Sequence, residues 1–335
     1  MKALVGGPGG VEVVEVEDPR PGPGEVVVDV HSCGICGSDV HAVESGRVAA
    51  GQIPGHEFSG TITEVGPDAG EWRSGQAVAV SPLGGCGACA VCRRDLPFLC
   101  RSVPNLGLSA PGAFAERVAV PERQLVPLPD TVDTELGAHA EPLAVALHAI
   151  GLAKPEPGDD ALVFGVGPIG LKVVMALRAL GAGTIVAVGR SPGRRAAAAA
   201  VGADVVLDGR ETNVAEYASR NGLSFSAIYE CSGATEAVAT TAPALAPAGT
   251  IVLVAFAPEP AAVDTRLFIG QNLHLAGSCA FGVADYWQAV ELLCSGAVDP
   301  GPVISERIGL ADAPGALERL RRPEHLVGVF VQPWR

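Results

Sequence analysis

Residues 161–170 read Ala161-Leu162-Val163-Phe164-Gly165-Val166-Gly167-Pro168-Ile169-Gly170. An apolar run of strand character enters three glycines, and the turn they form opens an apolar segment of helical period that stops at Gly181. A lone Gly-x-Gly-x-x-Gly carries little weight. With a strand before it and a helix after it, the same pattern is a dinucleotide fingerprint: the glycines let the backbone approach a pyrophosphate, whose charge is stabilised by amides and the dipole at the helix N-terminus. Gly165, Gly167, Pro168, Ile169 and Gly170 are the expected phosphate cradle. An acid that binds the adenosine ribose of NAD is due about 20 residues further on. The chain instead has Val188-Gly189-Arg190-Ser191. With no acid there to repel a 2′-phosphate, and with Arg190 and Arg194 available to pair with it, the segment Gly189, Arg190, Ser191 and Arg194 points to NADP(H) in preference to NAD(H).

The cradle sits inside a βαβ rhythm. Strand candidates at 161–166, 184–188, 225–230 and 250–255 alternate with helix-length segments such as 169–180, and the alanine run 196–200 falls where a crossover helix is due. Upstream, the polar stretch Lys154-Pro155-Glu156-Pro157-Gly158-Asp159 suits a domain junction, and the Val-rich runs at 25–30 and 60–80, broken by Gly, Pro and Asp, read as antiparallel strands. At 335 residues the chain exceeds the size of one ordinary core, so two domains are expected. No period of 20 to 50 residues repeats, which excludes a solenoid or propeller.

Lys plus Arg number 23 against 37 Asp plus Glu, and the formal charge of -14 repels nucleic acid and anionic membrane surfaces, so neither is an expected partner. The start, Met1-Lys2-Ala3-Leu4-Val5, lacks the apolar stretch of a signal peptide, and no run reaches the length of a membrane helix. The expectation is a soluble, cytoplasmic protein.

Five of the nine cysteines fall in two groups of metal-ligand character. Cys86, Cys89, Cys92 and Cys100 can close a tetrahedral thiolate shell with no open position, the arrangement of a structural zinc. An iron-sulfur cluster fits the same spacing, zinc being modestly favoured, and free thiols or two disulfides are the bland alternative. The second group is Cys36 in Gly34-Ile35-Cys36-Gly37-Ser38-Asp39-Val40-His41 and His56 in Gly55-His56-Glu57. A thiolate, an imidazole and one carboxylate leave a fourth position open, as catalytic zinc requires. Glu141, in Glu141-Pro142-Leu143, is the first choice for the carboxylate, with Glu57 competing. Cys33, Cys231, Cys279 and Cys294 have no partners at metal spacing and read as small buried hydrophobes.

Together these motifs resemble the zinc-containing medium-chain dehydrogenases over nearly the whole chain, most closely the sorbitol/polyol and threonine dehydrogenase branch. The resemblance implies an α/β protein: a GroES-like β-rich catalytic domain from residues 1–151 and 280–335, and a Rossmann doubly wound parallel-sheet domain over 152–279. It implies two zincs per chain, the catalytic one on Cys36, His56 and Glu141 or Glu57, with Asp39 supporting the ligands and Ser38 and His41 passing the hydroxyl proton toward solvent. The expected activity is zinc-dependent hydride transfer between NADP(H) or NAD(H) and a small secondary alcohol or ketone, with a polyol, sugar or cyclitol favoured. A threonine-dehydrogenase-like oxidation of an amino alcohol and a non-catalytic NADPH-binding relative are the competing readings. A homodimer or homotetramer is expected, through sheet edges near 273–278. The segment between Gly46-Arg47 and Gly55-His56 is short for a polyol dehydrogenase, so substrate contacts made there do not transfer.

Overall fold

The computed structural model describes residues 1–7, 9–322 and 326–335. The chain folds as two compact units, one from Met1–Glu141, Phe281–Pro300 and Ile304–Arg335, the other from Pro142–Ala280 and Gly301–Val303.

The first unit is built on a seven-stranded sheet. Its central strand, Glu25–Gly34, pairs antiparallel with Glu57–Val65, Arg117–Pro121 and Gly328–Val331. Val26, Val28 and Val30 alternate inward along it, as a period of two requires, and meet Phe58, Ile62, Val78, Val80 and Phe114 in one core. Each such fully buried side chain contributes about 1.5–3 kcal/mol. The sheet continues through Ala77–Val80 to Leu125–Pro127 on one side and ends at Ile304–Ile308 on the other.

The second unit holds a six-stranded parallel sheet. In spatial order its strands are Val205–Asp208, Ile185–Gly189, Ala161–Phe164, Phe225–Glu230, Leu245–Leu253 and His274–Gly277. The order reverses between Ala161–Phe164 and Phe225–Glu230, and such a switch point is where doubly wound sheets bind nucleotides, at the carboxyl ends of the strands. The helix Pro168–Ala179 starts behind Gly167 and stops where Gly181 turns left-handed at φ +80°. The alanine run lies in the helix Pro192–Ala200.

Two expectations shift. The strand sought at 250–255 runs from Leu245 to Leu253, with an irregular register between Phe225 and Ala227 and Ala248 at φ +61°, because Pro247 and Gly249 interrupt the apolar pattern that would have revealed its start. The division between units falls at Glu141/Pro142 and not beside the Pro/Gly-rich stretch at 154–159. That stretch terminates the helix Ala140–Ala153, a physical break of another kind. The helical stretch Thr134–Ala153 is long and apolar enough to cross a membrane by composition, but about two-thirds of it is buried in the protein.

Candidate active site

Cys36, His56 and Glu57 converge in the first unit, their ligand atoms all within 4.8 Å of one another. The sheet explains the convergence. Glu57 opens its strand directly opposite Gly34, and Gly34 has no side chain because a Cβ there would lie 2.4 Å from Glu57 Oε2. Two residues on, Cys36 caps the helix Gly37–Glu44. Its backbone amide donates to Asp39 Oδ2 at 3.0 Å, and its sulfur accepts from the Ser38 amide at 3.5 Å. Asp39 Oδ1 also stands 3.5 Å from His56 Nδ1. A carboxylate in that position sets which imidazole nitrogen is presented to a metal. Gly55, at φ +96°, brings His56 in beneath Phe114, whose amide nitrogen would lie 2.7 Å from a Cβ there.

Glu141, the first choice from sequence, is buried in the same region but stands outside that trio, and Glu57 is the carboxylate the fold places there. Register places Glu57, which follows His56 and is fixed by strand pairing, whereas Glu141 lies in the first turn of the helix Ala140–Ala153, directly after the turn Thr134–His139. That turn lies close on the sheet because Gly137 has no side chain; a Cβ would meet Ser59 Cβ at 2.8 Å. Glu135 and Arg307 pin it further, Arg307 donating to both Glu135 oxygens at 2.7–3.0 Å. Burial pushes the Glu141 carboxyl up to about 8, with His56 opposing and Glu57 and Asp39 adding. Burial also raises the Cys36 thiol, and Glu57 adds to it. Burial alone would lower His56, yet Asp39 and Cys36 hold it well above its usual value. A half-buried thiol, a buried imidazole and three buried carboxyl groups are a donor set in need of a cation, and a divalent metal fits it. Ser38 and His41 are both exposed on the helix Gly37–Glu44, three positions apart and so on one face.

The other four cysteines also come together. Cys89 Sγ lies 3.4 Å from Cys92 Sγ and 4.0 Å from Cys100 Sγ, and Cys86 Sγ is 3.9 Å from Cys92 Sγ. Around one ion with bonds of about 2.3 Å, the edge of a sulfur tetrahedron is about 3.8 Å. Disulfide sulfurs would sit about 2.05 Å apart, so the set fits a single tetrahedral metal. Amides of Cys86 and Ser102 stabilise the Cys100 thiolate and bring that thiol down to about 6. Sequence reading missed Asp95 in this loop. It turns left-handed at φ +55° after Cys92–Arg94, and its Oδ1 accepts from the Val283 amide at 2.9 Å, capping the helix Val283–Cys294. Gly282 permits the approach, since a Cβ there would meet Asp95 Oδ2 at 2.3 Å. Of the other thiols Cys33 is buried as expected, but Cys279 is exposed and Cys231 and Cys294 are half-buried.

In the second unit the glycine turn has the shape a pyrophosphate needs. Gly165 is at φ +106°, where a Cβ would come 2.6 Å from the Ser232 amide nitrogen, and a Cβ on Gly170 would come 1.8 Å from Gly165 O. Gly167 faces open space at the N-terminus of Pro168–Ala179. A dinucleotide phosphate fits this cradle of bare backbone. Glu230, also missed from sequence, shapes the facing turn by accepting from the amides of Ser232 and Gly233 at 2.8 and 3.0 Å. At Gly189 a Cβ would lie 2.1 Å from Val166 Cγ2, so the absence of an acid there has a packing cause. Arg190 is exposed, while Ser191 and Arg194 are half-buried, and burial lowers the Arg194 guanidinium. The strand end at 188–191 carries no acid, but the end of the neighbouring strand does. Asp208 stands opposite Gly189 on the neighbouring strand, paired with Arg195.

Comparison with known proteins agrees with both halves of this description. Residues 22–130 match the alcohol dehydrogenase GroES-like domain, and residues 168–295 match the zinc-binding dehydrogenase family. The L-threonine 3-dehydrogenase of Rhizobium rhizogenes is 33% identical over 100% of this chain and 99% of its own. The 2-dehydro-3-deoxy-L-galactonate 5-dehydrogenase of Pseudoalteromonas atlantica is 33% identical over 92% of this chain and 91% of its own. A Sinorhizobium meliloti protein solved bound to NADP superposes with a TM-score of 0.92 at 31% identity, covering 99% of each chain. The chain belongs to the zinc-dependent medium-chain alcohol dehydrogenases, enzymes that join a GroES-like domain to a Rossmann-type parallel sheet and work with zinc and a nicotinamide cofactor.

Proposed function

We propose that the chain is an NADP(H)-preferring dehydrogenase of secondary alcohols that carry a neighbouring polar substituent, such as polyols, sugars or cyclitols. The observation that carries this reading is the buried convergence of Cys36, His56 and Glu57 beside Asp39 and Glu141. Cys36, His56 and Glu57 would hold the catalytic zinc, and Cys86, Cys89, Cys92 and Cys100 a structural one. When bound, zinc supplies Lewis acidity toward an alcohol oxygen and the nicotinamide supplies the hydride acceptor. The protein's own work is positioning and proton movement. Asp39 holds the Cys36 amide and faces His56, fixing two donors with one carboxylate. Glu141 adds a second buried carboxyl group able to exchange with Glu57. Ser38 and His41, on one exposed helical face, take the hydroxyl proton outward to solvent. Gly165, Gly167, Pro168, Ile169 and Gly170 bind the pyrophosphate, and Gly189, Arg190, Ser191 and Arg194 surround the adenosine ribose.

The threonine dehydrogenase relatives favour a second reading, in which the substituent is an amino group and the substrate an amino alcohol. The strand His274–Gly277 lies at the edge of its sheet, and pairing of this edge with a second copy would give a dimer or a building block of a tetramer. The first experiment combines metal analysis with oxidation of a panel of polyols, sugars, cyclitols and amino alcohols under NADP and NAD. Two zincs per chain and NADP-linked oxidation of one class are expected. One zinc per chain, or equal activity with NAD, would overturn the corresponding part of the reading.

A further inference from the structure

The strands Ile185–Gly189 and Val205–Asp208 run parallel at one side of the nucleotide sheet, with Gly189 and Asp208 as partners at their carboxyl ends. Gly189 contributes no side chain, so what fills this corner comes from the helix that follows. Arg195, in the first turns of Pro192–Ala200, bends back over it. Its Cγ lies 3.4 Å from where a Cβ on Gly189 would be. Its NH1 donates to Asp208 Oδ2 at 2.6 Å, to Arg190 O at 3.1 Å and to Gly189 O at 3.3 Å. The other Asp208 oxygen, Oδ1, accepts from the Arg210 amide at 3.0 Å. Both side chains are 22% exposed, which weakens solvent screening without removing it.

A carboxylate therefore does stand at the place where dinucleotide sheets read the adenosine ribose, supplied by the next strand and covered by an arginine. We propose that the Arg195–Asp208 pair sets the cofactor preference. With Arg195 in place the charge of Asp208 is cancelled, and a 2′-phosphate carrying about -1.5 to -2 charges is accepted beside Arg190 and Arg194. Without Arg195 the bare carboxylate repels that phosphate and accepts a hydrogen bond from a 2′-hydroxyl instead. Arg195 thus acts through Asp208 and not as a phosphate ligand. The proposal deepens the NADP(H) reading above and rests on it.

The test is equilibrium binding, free of turnover. Calorimetry on the full-length protein measures the dissociation constants of adenosine 2′,5′-bisphosphate and adenosine 5′-monophosphate for wild type, Asp208→Asn, Arg195→Gln and the double variant, with thermal melting to confirm folding. Asp208→Asn keeps an acceptor for the Arg210 amide but removes the charge and the acceptor for Arg195 NH1, so it should shift the ratio of affinities toward the bisphosphate by roughly five- to tenfold. Arg195→Gln should shift it toward the monophosphate by about as much, and the double variant should lie between. Added salt should shrink both shifts. If Asp208→Asn, folded, leaves the ratio within about twofold of wild type, or if both single variants move it in the same direction, the pair does not set the preference. Should Arg195→Gln fail to fold, Asp208→Asn decides alone. The NADP(H) reading fails separately, if wild type binds the monophosphate as tightly as the bisphosphate; the direction of the shifts still judges the pair.

Discussion

In the cysteine loop four sulfurs drawn from residues 86–100 stand 3.4–4.0 Å apart along the measured edges, and a tetrahedral ion would leave no open position. The cluster around Cys36 takes one donor from a helix cap and two from the adjoining residues His56 and Glu57, where a strand begins, with Glu141 buried in the same region in the first turn of another helix. The first arrangement is local and closed, so its binding energy goes into the fold. The second is assembled across the sheet, and three donors would leave a fourth position on a tetrahedral ion for a substrate oxygen. Metal at the two places should therefore fail differently when disturbed.

The largest effect is expected from Cys36→Ala, which should lower kcat/KM by on the order of 10^3-fold or more while the melting temperature changes little. Steady-state kinetics beside metal analysis checks it, and an unchanged rate would erase the contrast. Cys89→Ser should do the reverse. It should release one metal equivalent and cost about 3 kcal/mol of stability, with turnover per folded molecule much less affected, as denaturant titration and zinc content would show. Glu135→Gln tests the turn that leads to Glu141. Losing the two-pronged contact with Arg307, whose side chain is 46% exposed, should cost about 1–2 kcal/mol and lower kcat more than it changes cofactor affinity. The smallest effect is expected from Asp95→Ala, about 1 kcal/mol for a lost helix cap. A much larger loss would mean that the cysteine loop depends on the helix Val283–Cys294 and is not self-contained.

What sequence made legible follows from the same contrast. Four cysteines spaced within one loop, and three glycines between a strand and a helix, are local patterns whose geometry is set by neighbours in the chain. Both were found where the spacing put them. The placement of Glu57 beside Cys36 and His56 is not local. It follows from the pairing of Glu57 with Gly34, which spacing does not encode. Asp208 escaped notice for the same reason, since only parallel register sets it beside Gly189. Asp95 reaches its partner amide across 188 residues, and nothing near it signals a cap. The junction near 154–159 was a correct reading of a break, but of a helix end and not of a unit boundary.

The pairing of Gly328–Val331 with Cys33 and Gly34 has a consequence for the order of events during synthesis. The Ile35 amide donates to Val329 O at 2.9 Å, so the strand that delivers Cys36 to the cluster is completed by a segment translated almost three hundred residues later. The nucleotide unit is nearly continuous in sequence, and a ribosome can finish most of it first. Pairing with Glu57–Val65 can set the register of the strand before Cys36 early, but its other edge stays open until Gly328–Val331 has been made. The strand edge beside Cys36 is accordingly closed late, after most of the nucleotide unit has been made, whereas the four cysteines of residues 86–100 can come together early on the nascent chain.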